Sequence, residues 1–426
     1  MKNLRKKYKT IETFVGAGGS FLGFKKAGFE ASYVNDIDND FLKTLTFNNS
    51  ELNNITVDNT SIVKVNFSNL RSKLKINKKE IDVIFGGPVC KGYSLAGVRD
   101  PSDIRNTLYQ YQIKLIDEFR PKIALIENVP AMRCSLILKN NTDKSIVDEI
   151  SYIYKQLDIF KGIKAKLRKE NTSLSSREEK EYLLIKQKKR DYESIIKDNS
   201  ISVIDDIRER LEIIGYRVKI ANLNASWFGS HTKRIRTIVA AVRDDIRYDF
   251  EYPEITHHNS DIKKHEDFKY AKNLKRLNTI RDAFSLLDSE KNNPEKDEDN
   301  RAMKHNEKSV RRFALIPKGK NFIEVMNDAP KDLHISKFYS RGCTMRLDDN
   351  KPAPTLVPGH SNFPIHPTEH RSITVREAAI ISGFPANYKF FGNHTKRCEQ
   401  VGNAVPIHLS HALAKSCRHL LDKIDE

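Results

Sequence analysis

The chain has 426 residues, 38 % of them hydrophobic and 31 % charged, with a formal net charge of +18. That length exceeds one ordinary core and predicts two domains with an insertion. No apolar run is long enough to cross a bilayer and no signal-peptide core follows the basic residues 1–9, so the expected setting is cytoplasmic with no membrane partner, while the positive surplus points to a polyanion, nucleic acid first.

Residues 9–15 predict a first strand, followed by Gly16-Ala17-Gly18-Gly19 and an apolar-periodic stretch through Phe21, Leu22 and Phe24. Strand, glycine turn and helix is a nucleotide-cofactor arrangement, because glycines let backbone approach a ligand closely. A second strand, 31–34, ends in Asn35-Asp36. A carboxylate about 20 residues past the first glycine can accept from ribose hydroxyls, and it can as readily cap a helix. Asp38 is less well placed for the first role.

Residues 81–85 predict a buried strand that breaks into Gly86-Gly87-Pro88-Val89-Cys90-Lys91-Gly92-Tyr93-Ser94. A sulfur at the carboxyl end of a strand sits where open α/β sheets place ligands, which suits a thiolate nucleophile. A small buried hydrophobe beside a turn is the plainer reading of Cys90. The five cysteines (90, 134, 343, 398 and 417) are scattered, without a C-x-x-C pair. That pattern argues against a disulfide framework, structural zinc and a zinc-dependent base deaminase, so no metal is expected. Residues 122–126 predict another buried strand, ending in Glu127-Asn128-Val129-Pro130. A carboxylate at that mouth is costly unless paired, protonated or used.

Residues 145–199 read as an inserted helical hairpin: two matched helices of roughly 25 residues, reaching roughly 35 Å and joined by a turn near 171–175. Ser175 with Glu178 gives the second helix a capping box. The plainer reading is a structural hairpin or partner contact; the sharper one is an arm that touches DNA. A helix from Ser202, a strand over 216–223 and a strand over 234–242 complete this half. Arg234 and Arg236 are two apart and share a strand face, which also describes a basic sheet edge. After Arg243 the chain turns polar, and 290–301 is hydrophilic enough to predict a loop. Order returns at Pro352-Ala353-Pro354-Thr355-Leu356, a helix over 374–381, and Gln400-Val401-Gly402-Asn403-Ala404-Val405-Pro406, which opens a last helix. The expected partition is 1–248 for a catalytic and cofactor-binding domain, 249–368 for a smaller inserted domain, and 369–426 for a segment returning to the first.

In this order the motifs resemble the cytosine-C5 DNA methyltransferase family of the bacterial restriction-modification type. The stretches that carry the resemblance are Phe14 through Gly19, Gly86-Gly87-Pro88-Val89-Cys90, Glu127-Asn128-Val129, Lys233-Arg234-Ile235-Arg236, residues 371–385 and Gln400 through Pro406. The resemblance implies an α/β fold: an S-adenosylmethionine-dependent, Rossmann-like sheet carrying a target-recognition domain, with the helical hairpin as an extra. It implies S-adenosylmethionine as cofactor, held by Phe14, Gly16, Gly18, Gly19, Asp36, Pro88 and Asn403. It implies that Cys90 attacks C6 of a flipped-out cytosine, that Glu127 holds and protonates the base at N3, and that Arg236, supported by Arg234, contacts the base. Double-stranded DNA is the implied partner of a monomer, and a cognate restriction endonuclease would act separately.

Several positions depart from the family pattern. Val89 stands for a second proline, Lys91 for a glutamine, Tyr93 for a phenylalanine and Thr232 for a glutamine. The acidic residue that meets adenine is replaced by Ser61, with Asp58 nearby. The residues leave three other readings open. A tRNA cytosine methyltransferase shares the fold and cysteine, but its Cys-Phe-Thr signature is not evident. A nicotinamide-dependent oxidoreductase leaves the Cys90 and Glu127 stretches unexplained. A catalytically weak DNA-binding relative is the third.

Overall fold

The computed structural model describes residues 6–88, 100–170, 172–259, 265–288, 290–336, 342–359 and 362–426. In chain order the strands are β1 (Tyr8–Thr13), β2 (Phe29–Asn35), β3 (Thr56–Asp58), β4 (Val83–Gly86), β5 (Ile123–Asn128), β6 (Leu136–Leu138), β7 (Ser200–Ser202), β8 (Tyr216–Asn224), β9 (Ile235–Arg243), β10 (Ile255–His257) and β11 (Tyr270–Lys275). The helices of the N-terminal part are α1 (Gly19–Lys26), α2 (Asn39–Phe47), α3 (Phe67–Lys73), α4 (Leu108–Phe119), α5 (Lys144–Lys169), α6 (Ser176–Asp191), α7 (Glu193–Asp198) and α8 (Val203–Ile213). They are followed by α9 (Ile280–Phe284), α10 (Glu307–Ala314), α11 (Phe322–Val325), α12 (Val375–Ile381), α13 (His394–Asn403) and α14 (Ile407–Asp425).

Seven strands form one sheet in the order β3-β2-β1-β4-β5-β9-β8. It is parallel apart from β9, which runs against both neighbours. The central strands β4, β5 and β9 are near-continuous apolar runs because helices cover both faces. Alternate residues divide between those faces: Ile11, Ile84 and Ala124 pack with α3, α4 and α8, whereas Val83, Phe85 and Leu125 pack with α1 and α14. The chain reverses direction across the sheet between β1 and β4. The carboxyl ends there form the crevice where open α/β sheets bind ligands.

The hairpin differs from two matched helices. The first has 26 residues; the second stops after 16, and a six-residue helix follows. The break falls at Tyr192, whose ring joins the two apolar clusters that glue the hairpin together. The Ser175–Glu178 capping box is present. The hairpin is rooted beside the main sheet: Ser151 donates to Ser102 at 2.8 Å, and the Leu138 amide donates to the Pro101 carbonyl at 3.2 Å. Burial, and then the charge of nearby Asp100, push the Tyr154 phenol up to about 12.

The hydrophilic stretch 290–301 is not an unattached loop. Asp297 takes Arg376 at 2.7 Å, and Asp299 takes both Arg376 and Arg397 at 3.3 Å. Charge pairing does there what apolar burial does elsewhere. Residues 306–335 pack a small core around Phe313, Phe322 and Leu333. The nearly buried Arg346 donates to the carbonyls of Phe313, Ile316, His366 and Glu369 at 2.6–2.7 Å. One guanidinium therefore satisfies carbonyls that no strand partner reaches.

Candidate active site

The loop after β1 is built for close approach. Phe14 has φ 53° and Gly16 φ 57°. The left-handed region costs a non-glycine residue about 1–3 kcal/mol, and such strain collects at ligand clamps. An ideal Cβ on Gly16 would meet nothing within 4 Å among the described residues, so the loop is open there. Gly19 has the opposite reason for being glycine: a Cβ would run into the backbone of Val405. The Gln400–Pro406 stretch thus lies against the start of α1. Ser410 clamps it further by donating to the Gly19 carbonyl at 2.8 Å, and Tyr388 donates to the Ala17 carbonyl at 2.7 Å.

Asp36 accepts from the Gly16 amide at 2.8 Å and the Asp38 amide at 3.0 Å, tying the glycine loop to the end of β2. Burial raises its ionisation above the usual carboxylate range, against these amide bonds. Each carboxylate oxygen keeps a further lone pair for another donor. Asp38 does different work. It caps α2 and pairs with Lys396 at 2.6 Å. Asp58 accepts from Tyr33 at 2.7 Å and from the Thr60 amide, beside the half-buried Ser61.

At the next strand ends, β5 and β9 bring Glu127 and Arg236 together. Register pairs Asn128 with Thr237, so Arg236 falls one residue past the ladder, and its Nε sits 2.6 Å from Glu127 Oε1. Both side chains are at most 10 % exposed. The pair survives burial because each charge neutralises the other. Glu127 Oε2 lies 3.0 Å from where a Cβ on Gly87 would be, so the second glycine makes room for the carboxylate. Asn128 Nδ2 donates to the Pro88 carbonyl at 2.9 Å, fixing the turn that leads toward Cys90. Cys90, Val89, Lys91 and Tyr93 lie outside the described residues.

Arg234 is placed differently from Arg236. It donates to the carbonyls of Leu356 at 2.9 Å and Asn403 at 3.4 Å, joining the start of β9 to the 352–358 stretch and to the end of α13. The reading of these arginines as a basic sheet edge is overturned, because β9 lies between β5 and β8. Thr232 donates to the Pro354 carbonyl, and backbone bonds link 231–233 to Ala353. The Asn403 side chain is exposed at the end of α13.

One residue escaped the sequence reading. Glu12 is fully buried in β1, and no hydrogen bond of good geometry reaches either oxygen among the described residues. Burial pushes its ionisation up to about 7, with slight opposition from the Ser20 side chain. The available signal was an acid at a buried position of a parallel strand, two residues before Phe14. Among the described residues no cluster of side chains could hold a metal ion, and no helix is long and apolar enough to cross a membrane.

A family model described as C-5 cytosine-specific DNA methylase matches residues 8–155 and 193–419. The chain is 28 % identical to the type II methyltransferase M.Eco47II of Escherichia coli, over 98 % of this chain and 81 % of that one. It is 26 % identical to the type II methyltransferase M.DdeI of Desulfomicrobium norvegicum, over 97 % and 89 %. A solved structure of a putative DNA modification methyltransferase encoded within an E. coli prophage superposes with a TM-score of 0.62 at 19 % identity, covering 98 % of this chain and all of that one. At that identity the likeness speaks to the fold alone.

Proposed function

The chain belongs to the C-5 cytosine-specific DNA methylase family and is a DNA cytosine-5 methyltransferase of the restriction-modification type, and from that premise we propose how its own residues do the chemistry. The substrate is a cytosine flipped out of a specific sequence in double-stranded DNA, since its ring carbons cannot be reached inside the stack. Residues 249–368 serve as the target-recognition domain. The enzyme works as a cytoplasmic monomer, and a cognate endonuclease acts separately.

The observation that carries the reading is the Glu127–Arg236 pair, held against Gly87 at the mouth of the sheet. Cytosine C5 is too weak a nucleophile to take a methyl group unaided. Cys90 adds to C6 as thiolate, and the ring's electron pair moves toward C5. Glu127 enters the reaction protonated, holds N3 and delivers that proton as negative charge develops on the ring, and the carboxylate it leaves is neutralised by Arg236. Arg236 keeps Glu127 aimed and adds a positive charge beside the base. Once C5 carries the methyl group, a base takes the C5 proton, the C5–C6 double bond re-forms, the thiolate leaves and N3 returns its proton to Glu127.

The residues present fit S-adenosylmethionine. The loop is open at Gly16 among the described residues, and Asp36 keeps lone pairs for hydroxyl donors. Phe14, Gly16, Gly18 and Gly19 would hold its methionine part, Asp36 its ribose, and Pro88 and Asn403 would flank it. The cofactor supplies a methyl group on a sulfonium, electrophilic enough for a carbon nucleophile. Tritium transfer from labelled cofactor, run side by side on duplex DNA and on tRNA, tests the proposal. Incorporation into duplex DNA that disappears in Cys90→Ala is expected. Incorporation into tRNA alone would overturn the substrate, and full activity in Cys90→Ala would overturn the nucleophile.

A further inference from the structure

We infer that the outer face of α5 is a second DNA-contacting surface, a flat basic strip that lies along the phosphate backbone beside the catalytic crevice. The inference rests on duplex DNA being the substrate. The family match skips 156–192, so most of the hairpin is additional to the body that this family shares. The hairpin nevertheless starts near the carboxyl end of β5: only a short 3-10 turn and β6 separate that strand from α5, and Ser151 donates to Ser102 in the segment between β4 and α4.

Residues spaced i, i+4, i+7, i+11 and i+15 share one helix face. The face that meets Ser102 through Ser151 therefore continues outward past Lys155, Asp158, Gly162 and Lys166. All four are exposed, as are the flanking Lys161 and Arg168. Asp158 is the single acid in that row. Among the described residues no carboxylate pairs with Lys155, Lys166 or Arg168. Three of the hairpin's acids have other work: Glu149 pairs with Lys188, Glu181 with Arg177, and Glu178 closes the Ser175 cap.

Gly162 is the independent observation. A Cβ there would meet nothing within 4 Å, so no packing among the described residues calls for glycine. Glycine in a helix interior weakens it relative to alanine. Its remaining use is a flat spot where something from outside comes close, here between Asp158 and Lys166 in the row, with Lys155 one turn beyond Asp158. A helix of 26 residues is about 39 Å long, a little more than one turn of duplex.

The test measures binding of a mixed-sequence duplex over a range of salt, with tritium-transfer kinetics, for the wild type, the triple variant K155E/K166E/R168E and Gly162→Leu. Each phosphate contact contributes about 0.9 to the slope of log K against log salt. The triple variant is expected to lose about 3 of that slope and to raise KM for DNA about tenfold, with kcat within about twofold of wild type. Gly162→Leu is expected to melt no lower than wild type and to bind several-fold more weakly. A triple variant with wild-type slope and KM, or a loss of affinity that ignores salt, would overturn the strip while leaving the methyltransferase reading intact. A wild-type protein that binds no duplex DNA would overturn both.

Discussion

Replacing Glu12 by glutamine gives the sharpest stability test of the buried site. The glutamate is fully buried without a good partner, and its ionisation moves from 4.5 to about 7. At 1.36 kcal/mol per pH unit, that difference makes the ionised residue about 3 kcal/mol less compatible with the fold than the neutral one. The folded-state value lies above the unfolded one. The stabilising share is therefore complete below pH 4.5 and is lost as pH rises through about 7. Urea unfolding of wild type and Glu12→Gln, both without cofactor, should give equal stabilities at the acid end. At the alkaline end the variant should be more stable by about 3 kcal/mol. Other titrating groups move both curves together, so the difference isolates this residue. A gap between the curves that is constant across the range would refute the reasoning.

Gly87→Ala presses a methyl group toward Glu127 Oε2, 3.0 Å away. Misplacing a catalytic group by about 1 Å costs about 100-fold in rate, so kcat should fall by up to that amount with little change in Tm. Arg236→Met leaves Glu127 buried without its cation. Stability should drop by about 3–5 kcal/mol in urea titration, and the double variant with Glu127→Gln should recover stability but not methyl transfer. Arg346→Lys retains the charge but loses the planar fork that reaches four carbonyls. Limited proteolysis should then cut within 306–370 well before the sheet, because buried carbonyls left unpaired cost about 1–3 kcal/mol each.

Six of the sheet's seven strands were legible, most clearly the central ones, where runs such as Ile123 to Ile126 are apolar and buried on both faces, whereas the three-residue edge strand β3 carried no such run. Site residues at strand ends could be named for the same reason: the crevice position follows from topology. The role of Arg234 was less legible. Two-residue spacing put it beside Arg236, but the strand begins only at Ile235, and its guanidinium turns to carbonyls more than a hundred residues away. Residues 290–301 form the expected loop, but its attachment was not legible, for a related reason. Hydropathy registers missing apolar surface, but it cannot register that Asp297 and Asp299 will meet Arg376 and Arg397. Glu12 went unnoticed because an acid in a strand ordinarily faces water, whereas β1 lies between β2 and β4 and Glu12 is fully buried.

The central claim is that this chain places a methyl group on C5 of cytosine in one duplex sequence. Bisulfite sequencing of DNA from cells that express the protein reads that directly. Cytosines protected from conversion should cluster in a single short sequence context, and cells expressing Cys90→Ala should show none. Full conversion at every cytosine, from a folded wild-type protein, would contradict the account.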